Sequence, residues 1–154
     1  MLTKLEKSYI SGFLDGDGCV MFQIVRRKDY IFGYQIRASI VFYQKTRNKS
    51  ILFWLKSKLK HGYIRDRNDD MTEYTIVGKD YVVETLKVLR PYLRLKKEHV
   101  KIALMINKKW PKRFNKKNLL VISRLVDKFK ELNYSKKRKN TTKTLEDFFS
   151  KRSP

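Results

Sequence analysis

Apolar residues along this chain recur first with the period of a helix and then with the period of a strand, and the change falls in a run of acids and glycines. Thr3 and Glu6 have the spacing of a capping box, so a helix is predicted from about residue 4 to Leu14. Leu5, Tyr9, Ile10, Phe13 and Leu14 fall at helical spacing and predict one buried face. Ser8, Gly12 and Gly16 recur every fourth residue on another side and leave a stripe almost without side-chain bulk. Such a stripe admits close approach by another backbone, either the chain's own sheet or a helix of a second subunit.

After Gly18 the period is two. Val20, Phe22 and Ile24 alternate with Met21, Gln23, Val25 and Arg27, a polar turn follows near Lys28 and Asp29, and Ile36, Ala38, Ile40 and Phe42 then alternate with Gln35, Arg37, Ser39, Val41 and Tyr43. This predicts a long hairpin with one apolar face. A helix is predicted over 48–60, with Ile51, Leu52, Leu55 and Leu59 inward and Gly62 as its stop. A second hairpin puts Tyr63, Arg65, Arg67, Glu73 and Thr75 on one face and Ile64, Tyr74 and Ile76 on the other, with the turn at Asn68, Asp69 and Asp70. Asp66 breaks that alternation and requires a cationic partner.

From Asp80 the pattern is helical: one helix ended by Pro91, another over 98–109 ended by Pro111, and a third with Leu119, Ile122, Leu125, Val126 and Phe129 inward, stopping near Asn133. The basic run Lys136, Lys137, Arg138 and Lys139 precedes a short amphipathic piece carrying Leu145, Phe148 and Phe149. The order of elements suggests a weak duplication of an αββ unit in a single α+β domain spanning 1–154.

Composition narrows the partners. The 154 residues carry 37 Lys+Arg against 15 Asp+Glu, a formal charge of +22 suited to a polyphosphate and not to a small neutral substrate. With 42% hydrophobic residues the chain has enough apolar material for a core, so it is not a disordered basic tail. One cysteine, Cys19, excludes an internal disulfide framework, and His61 and His99 lack the companions of a zinc site. No apolar run is long enough for a membrane span, and the chain reads as starting at its own Met1 with no secretory signal.

Four strands with one apolar face place helices on that face and leave the other to a ligand. Gln23, Arg27, Gln35, Arg37, Ser39, Arg65, Arg67, Glu73 and Thr75 on the second face are the side-chain types that pair with base edges. Strands of about nine residues span roughly 30 Å, comparable with about nine base pairs of duplex. Asp15 and Asp17 lie beside that face at the end of the first helix. A carboxylate there repels phosphate unless a cation intervenes, and Mg²⁺ accepts one or two carboxylates while phosphate and water complete its shell.

Residues 10–18 resemble the motif of the LAGLIDADG homing endonucleases, most closely the single-motif homodimeric type encoded in introns. The resemblance continues through Gln44-Lys45-Thr46, Gly62-Tyr63-Ile64-Arg65-Asp66-Arg67, Pro91-Tyr92-Leu93-Arg94-Leu95-Lys96 and Ser135-Lys136-Lys137-Arg138-Lys139. It implies an αββαββα saddle, a four-stranded antiparallel sheet backed by helices, with two subunits meeting through their motif helices at Ser8, Tyr9, Gly12, Phe13 and Gly16. It implies a site-specific DNA endonuclease that promotes intron homing, making a Mg²⁺-dependent double-strand break with short 3′ overhangs in a near-palindrome of about 20 base pairs. Mn²⁺ is expected to substitute and Ca²⁺ to support binding without cleavage. The implied partners are double-stranded DNA and a second copy of the chain, with neither a membrane nor a small-molecule substrate.

By the same resemblance Asp17, with the Gly16 carbonyl, is the metal ligand and Asp15 is chiefly structural. Gln44 positions solvent and Lys96 supports the developing charge. The family's arginine after the Gln-Lys-Thr block falls at Asn48 here, and Lys49 is the expected substitute. Tyr63 joins the base-contacting residues of the hairpins, and Lys136, Arg138, Lys139 and Asn140 match phosphate contacts. Two alternatives are an RNA-binding splicing cofactor and a non-catalytic DNA-binding regulator. The resemblance points to a chloroplast or mitochondrion, with a bacterial or phage-like source as the alternative.

Overall fold

The computed structural model describes residues 1–133 and 138–152. Helix α1 (Lys4–Asp17) opens on the expected capping box, in which the Glu6 amide donates to Thr3 Oγ1 (3.1 Å) and the Thr3 amide donates to Glu6 Oε2 (2.9 Å). It does not stop at Leu14. The helix continues through Asp15, Gly16 and Asp17, so both acids belong to its last turn and do not follow it. Two amides from far along the chain anchor that turn: the Asp15 carboxylate accepts from the Arg94 amide (2.7 Å) and the Lys96 amide (3.1 Å). Gly18 then exits in extended geometry, where a Cβ would stand 2.8 Å from the Leu14 carbonyl oxygen. Only glycine makes so close an exit.

The apolar positions of α1 do not share one buried face. Ile10 and Leu14 are fully buried, but Leu5 is 84% and Tyr9 52% exposed. Ser11 completes the inward face, its hydroxyl donating to the Leu89 carbonyl (3.2 Å). A buried hydroxyl with a partner is tolerated where an unpaired one is not.

Strands β1 (Gly18–Arg26) and β2 (Tyr34–Lys45) form the first hairpin. A 3₁₀ turn (Thr46–Asn48) and helix α2 (Ser50–Leu59) lead to the second, β3 (Tyr63–Asp66) and β4 (Met71–Val77). The antiparallel sheet has the order β1-β2-β4-β3, with β2 and β4 paired from Ser39↔Val77 to Lys45↔Met71. The hairpins therefore meet through their second strands, as a duplicated αββ unit requires. With four and seven residues, β3 and β4 are shorter than the nine expected. Helix α2 ends at Lys60, itself left-handed (φ 71°), and Gly62 (φ 96°) serves a different purpose. A Cβ on Gly62 would lie 2.2 Å from the Thr75 carbonyl oxygen, so glycine is what lets β3 start close against β4.

Helices α3 (Lys79–Leu89), α4 (Lys97–Lys109), α5 (Lys116–Asp127), α6 (Phe129–Leu132) and α7 (Thr142–Lys151) complete the described chain. The single helix expected up to Asn133 is interrupted at Lys128, between α5 and α6. No helix among the described residues is long and apolar enough to cross a membrane.

The chain divides into two compact units. One comprises Met1–Met21 and Ala38–Val100, and the other Phe22–Arg37 with the residues from Lys101 onward. In the first, Ile10, Leu14, Ile40, Leu52, Leu86 and Leu89 are fully buried around Phe42 and Tyr74, whose rings stack at 5.7 Å and 12°. Burial raises the Tyr74 phenol pKa, and its hydroxyl donates to the His61 carbonyl. In the second, Phe22 packs on Phe129 at 5.3 Å, with Ala103, Ile106, Ile122 and Leu145 fully buried. Each large apolar side chain enclosed this way contributes about 1.5–3 kcal/mol.

Candidate active site and nucleic-acid interface

The carbonyl end of α1 concentrates negative potential: it carries Asp15 and Asp17 and no basic residue in its last turn. The two acids differ in what they touch. Asp15 is occupied by the Arg94 and Lys96 amides, which makes it a tie between the helix end and residues 94–96. Asp15→Ala is expected to cost about 1–3 kcal/mol, because it removes a charged acceptor from an exposed amide and from a partly buried one that then lacks it. A denaturant titration without DNA or metal checks this, and an unchanged midpoint would remove the tie.

Asp17 is exposed and, among the described residues, has no hydrogen bond or ion pair. It is an unneutralised carboxylate in a chain of net charge +22. Gly16, beside it, is exposed as well. No three His, Cys, Asp or Glu among the described residues are grouped to hold a metal, so a closed protein cage is absent. The donor set fits an open site instead, in which one carboxylate and a helix-end carbonyl leave most of a Mg²⁺ shell to water and phosphate.

Lys96 is only 8% exposed, and its Nζ donates to the Asp15 carbonyl oxygen (3.1 Å). It thus brings a positive charge to the acidic helix end. Gln44 is half-buried near the end of β2, its Oε1 accepting from the Lys45 amide (2.9 Å), which leaves the amide nitrogen to other partners. Lys49 is drawn elsewhere. Its Nζ meets Asp66 Oδ2 at 2.9 Å, and the Thr72 hydroxyl donates to the other carboxylate oxygen (2.7 Å) and bonds Thr46 (3.0 Å). Asp66 therefore has the cation its place in the strand demanded. The hydrogen bond from Lys49, followed by that from Thr72, lowers the Asp66 pKa. A depressed carboxylate pKa means the pairing is complete above the usual Asp range and is lost as pH falls through the lowered value.

On the second hairpin Tyr63 pairs with Thr75 and Arg65 with Glu73, as the alternation predicts. Arg65 Nη2 contacts Glu73 Oε1 at 2.7 Å, and Arg67 Nη2 contacts Asp69 at 2.8 Å. Tyr63, Arg65 and Arg67 are exposed, whereas Ser39, Glu73 and Thr75, expected on an open face, are buried at 3%, 8% and 4% exposure. They lie on the two central strands, Ser39 on β2 and Glu73 and Thr75 on β4, and the Arg65 guanidinium reaches over Glu73. In the first hairpin Arg27 makes two hydrogen bonds to Asp29 (2.9 and 2.7 Å) and one to Gln35 Oε1 (3.2 Å). The Arg27 hydrogen bonds to the Asp29 carboxylate, followed by one from the Asp29 backbone, lower its pKa to about 2. Gln23 is half-buried and Arg37 exposed.

The expected phosphate contacts divide. Lys136 lies outside the described residues, and Lys139 is exposed. Arg138 Nη1 donates to the Phe22 carbonyl (3.1 Å) and Asn140 Nδ2 to the Ile24 carbonyl (3.0 Å). Since β1 is an edge strand, with a neighbour on one side only, these side chains supply its carbonyls with donors from outside the sheet. Sequence reading missed this use because nothing in the local pattern marks an edge. It also missed Thr46 and Thr72, for which the broken alternation at Asp66 was the available signal.

Ser8, Tyr9, Gly12 and Gly16 are exposed and Phe13 half-buried, and Cβ atoms built on Gly12 or Gly16 meet nothing within 4 Å. Among the described residues the glycines of the stripe are left open, while Tyr9 beside them meets Trp54 edge to face at 5.6 Å.

A sequence profile described as LAGLIDADG endonuclease matches residues 10–101. The chain is 39% identical over 135 residues to DNA endonuclease I-CvuI of Chlorella vulgaris, a match covering 88% of this chain and 84% of that one. It is 32% identical over 149 residues to DNA endonuclease I-CreI of Chlamydomonas reinhardtii, covering 94% and 91%. The crystal structure of I-CvuI in complex with its target in the presence of calcium superposes with a TM-score of 0.91 at 37% identity, covering 96% and 94% of the two chains.

Proposed function

The chain belongs to the LAGLIDADG endonuclease family and is a DNA endonuclease, and we propose that it acts as a homodimer making a double-strand break in a near-palindromic site. The observation that carries this reading is Asp17, a carboxylate unpaired among the described residues, at the carbonyl end of a helix where a Cβ on Gly12 or Gly16 meets none of them within 4 Å. One chain has one such acid and a double-strand break needs two. A two-fold axis along Ser8, Tyr9, Gly12, Phe13 and Gly16 supplies the second.

Asp17 and the Gly16 carbonyl would hold Mg²⁺, or Mn²⁺ in its place, while Ca²⁺ would support binding without cleavage. When bound, the cation offsets the charge that develops on the scissile phosphate and the leaving 3′ oxygen. Gln44 orients the attacking water through its amide. Water adds to phosphorus, the bond to the 3′ oxygen breaks, and the products are 5′ phosphates and 3′ hydroxyls on short 3′ overhangs. Lys96, fixed by the Asp15 carbonyl, stabilises the reacting charge without contributing to affinity. Lys49 serves the same end only after leaving Asp66. Arg27, Arg65 and Arg67, each oriented by a carboxylate, read base edges with Gln23, Gln35, Arg37 and Tyr63. Ser39, Glu73 and Thr75 shape that surface from beneath, and Lys139 binds phosphate. Expression within a chloroplast or mitochondrion fits the sources of the two relatives, Chlorella vulgaris and Chlamydomonas reinhardtii.

Selection of cleaved molecules from a randomised duplex library, first with Mg²⁺ and then with Ca²⁺, tests the reading. A single near-palindromic site cut with Mg²⁺ and bound intact with Ca²⁺ is expected; no cut site under any divalent cation overturns it. Lys96→Met keeps the buried stem and removes the charge. It should slow single-turnover cleavage about 10- to 100-fold with little change in affinity, whereas a large loss of binding would reassign Lys96 as a phosphate ligand.

A further inference from the structure

Residues 108–117 read Lys-Lys-Trp-Pro-Lys-Arg-Phe-Asn-Lys-Lys, with six cations, two aromatics and no acid. They run from the last turn of α4 through the connection into the first turn of α5. Lys108, Lys109, Lys112, Arg113, Lys116 and Lys117 are all exposed, and among the described residues none forms an ion pair. The hairpin guanidiniums contrast with them, since Arg27, Arg65 and Arg67 each have a carboxylate partner. A carboxylate that fixes a guanidinium fork suits base reading, while a cation meant for phosphate needs no such partner. Like charges packed this densely repel one another until a polyanion relieves them.

The connection is also held in place. Trp110 and Phe114 are half-buried and meet edge to face at 5.0 Å and 89°. Together they line one cavity with Tyr30, Gln35, Ile36 and Leu119, at the turn of the first hairpin. Asn115 and Asn118 cap α5 reciprocally, and Asn118 Nδ2 donates to the Arg113 carbonyl (3.1 Å). The cations are therefore fixed beside the hairpin end that carries Gln35 and Arg27. Because both rings are used in packing, they offer no open platform for an unpaired base, which favours a duplex over single-stranded nucleic acid.

We propose that residues 108–117 form a clamp for the phosphate backbone of duplex DNA flanking the half-site, outside the last base pair read by β1 and β2. The proposal rests on the DNA endonuclease reading and adds sequence-independent contacts that lengthen the footprint.

The test compares wild type with Lys109→Gln/Lys112→Gln/Arg113→Gln, and with a control that removes three exposed lysines elsewhere, Lys56→Gln/Lys87→Gln/Lys151→Gln. Binding is measured against salt on two duplexes carrying the selected site, one ending at its outermost base pairs and one extended on each side by about one helical turn. Each phosphate contact adds about 0.9 to the slope of log affinity against log salt. Three contacts per protomer should make wild type lose about 40-fold more affinity per protomer than the clamp variant between about 50 and 200 mM salt on the long duplex. The clamp variant should match wild type on the short duplex, and the control should keep the long-duplex increment.

Equal slopes for wild type on both duplexes, an equal loss by the clamp variant on the short duplex, or a loss confined to structured RNA would each overturn the clamp. If no cleavable site is recovered, the endonuclease reading fails by itself. The slope difference between clamp variant and control on a long duplex of arbitrary sequence then decides the clamp.

Discussion

Asp17→Asn is expected to bind the selected site as tightly as wild type or slightly more tightly, and to cut it at least about 1,000-fold more slowly, equivalent to about 4 kcal/mol of transition-state stabilisation. The expectation comes from what Asp17 does not do. Its carboxylate has no hydrogen bond or ion pair among the described residues, so replacing it leaves the fold as it is. It stands at the negative end of α1 without a basic neighbour in that turn, so an amide relieves local repulsion and repels approaching phosphate less. Asp15 in the same turn is engaged by the Arg94 and Lys96 amides, so the change removes the free charged oxygen donor of that turn, and an amide oxygen is a weaker ligand for Mg²⁺. Conversion of a supercoiled plasmid carrying the site, measured under single-turnover conditions beside an affinity titration in Ca²⁺, separates the two effects. Cleavage at the wild-type rate would take Asp17 out of the reaction. Loss of binding with cleavage would make it a structural residue.

Gly12→Leu should yield a folded, monomeric protein that cannot make a double-strand break. Gly12 is exposed and a Cβ on it meets nothing within 4 Å among the described residues, so a side chain can leave the backbone there without meeting its own protomer at the first atom. Glycine in an exposed helix interior is also about 1 kcal/mol less favourable than alanine, so the isolated helix gains from the change. The loss arises only if another helix backbone lies against that stripe. Sedimentation of the free protein, circular dichroism for retained helix and the plasmid assay together read the outcome. A variant that stays dimeric, or cuts both strands like wild type, would place the subunit contact elsewhere.

Much of the fold was legible because its cues are local. The capping box, the change of period at Gly18 and the parity of the second hairpin are all carried by residues within a few positions of one another. Asp66 shows how far such reading reaches: a carboxylate on the wrong face called for a cation, and Lys49 is there. That same contact complicates the use of Lys49 as a stand-in for the family's arginine, which no alternation could have revealed. The misplaced end of α1 has the same origin. Asp-Gly-Asp-Gly reads locally as a turn, and the amides that keep it helical lie 79 and 81 residues away. Arg138 and Asn140 were matched to phosphate contacts by resemblance, and Ser11 carried no local signal, while the partners of all three are carbonyls defined by tertiary placement.

The Asp15 contact is made to main-chain amides, and this bears on how such a protein tolerates evolutionary change. A peptide nitrogen is present whatever residue bears it, proline excepted, so substitutions at position 94 leave this junction intact. Length is another matter: one codon gained or lost between Leu89 and Lys96 would slide both donors away from the carboxylate. Chimeras assembled with a relative should therefore survive divergent spelling across that stretch and fail at insertions or deletions within it, even though the acid they disturb lies 79 residues before the Arg94 amide and is itself never altered.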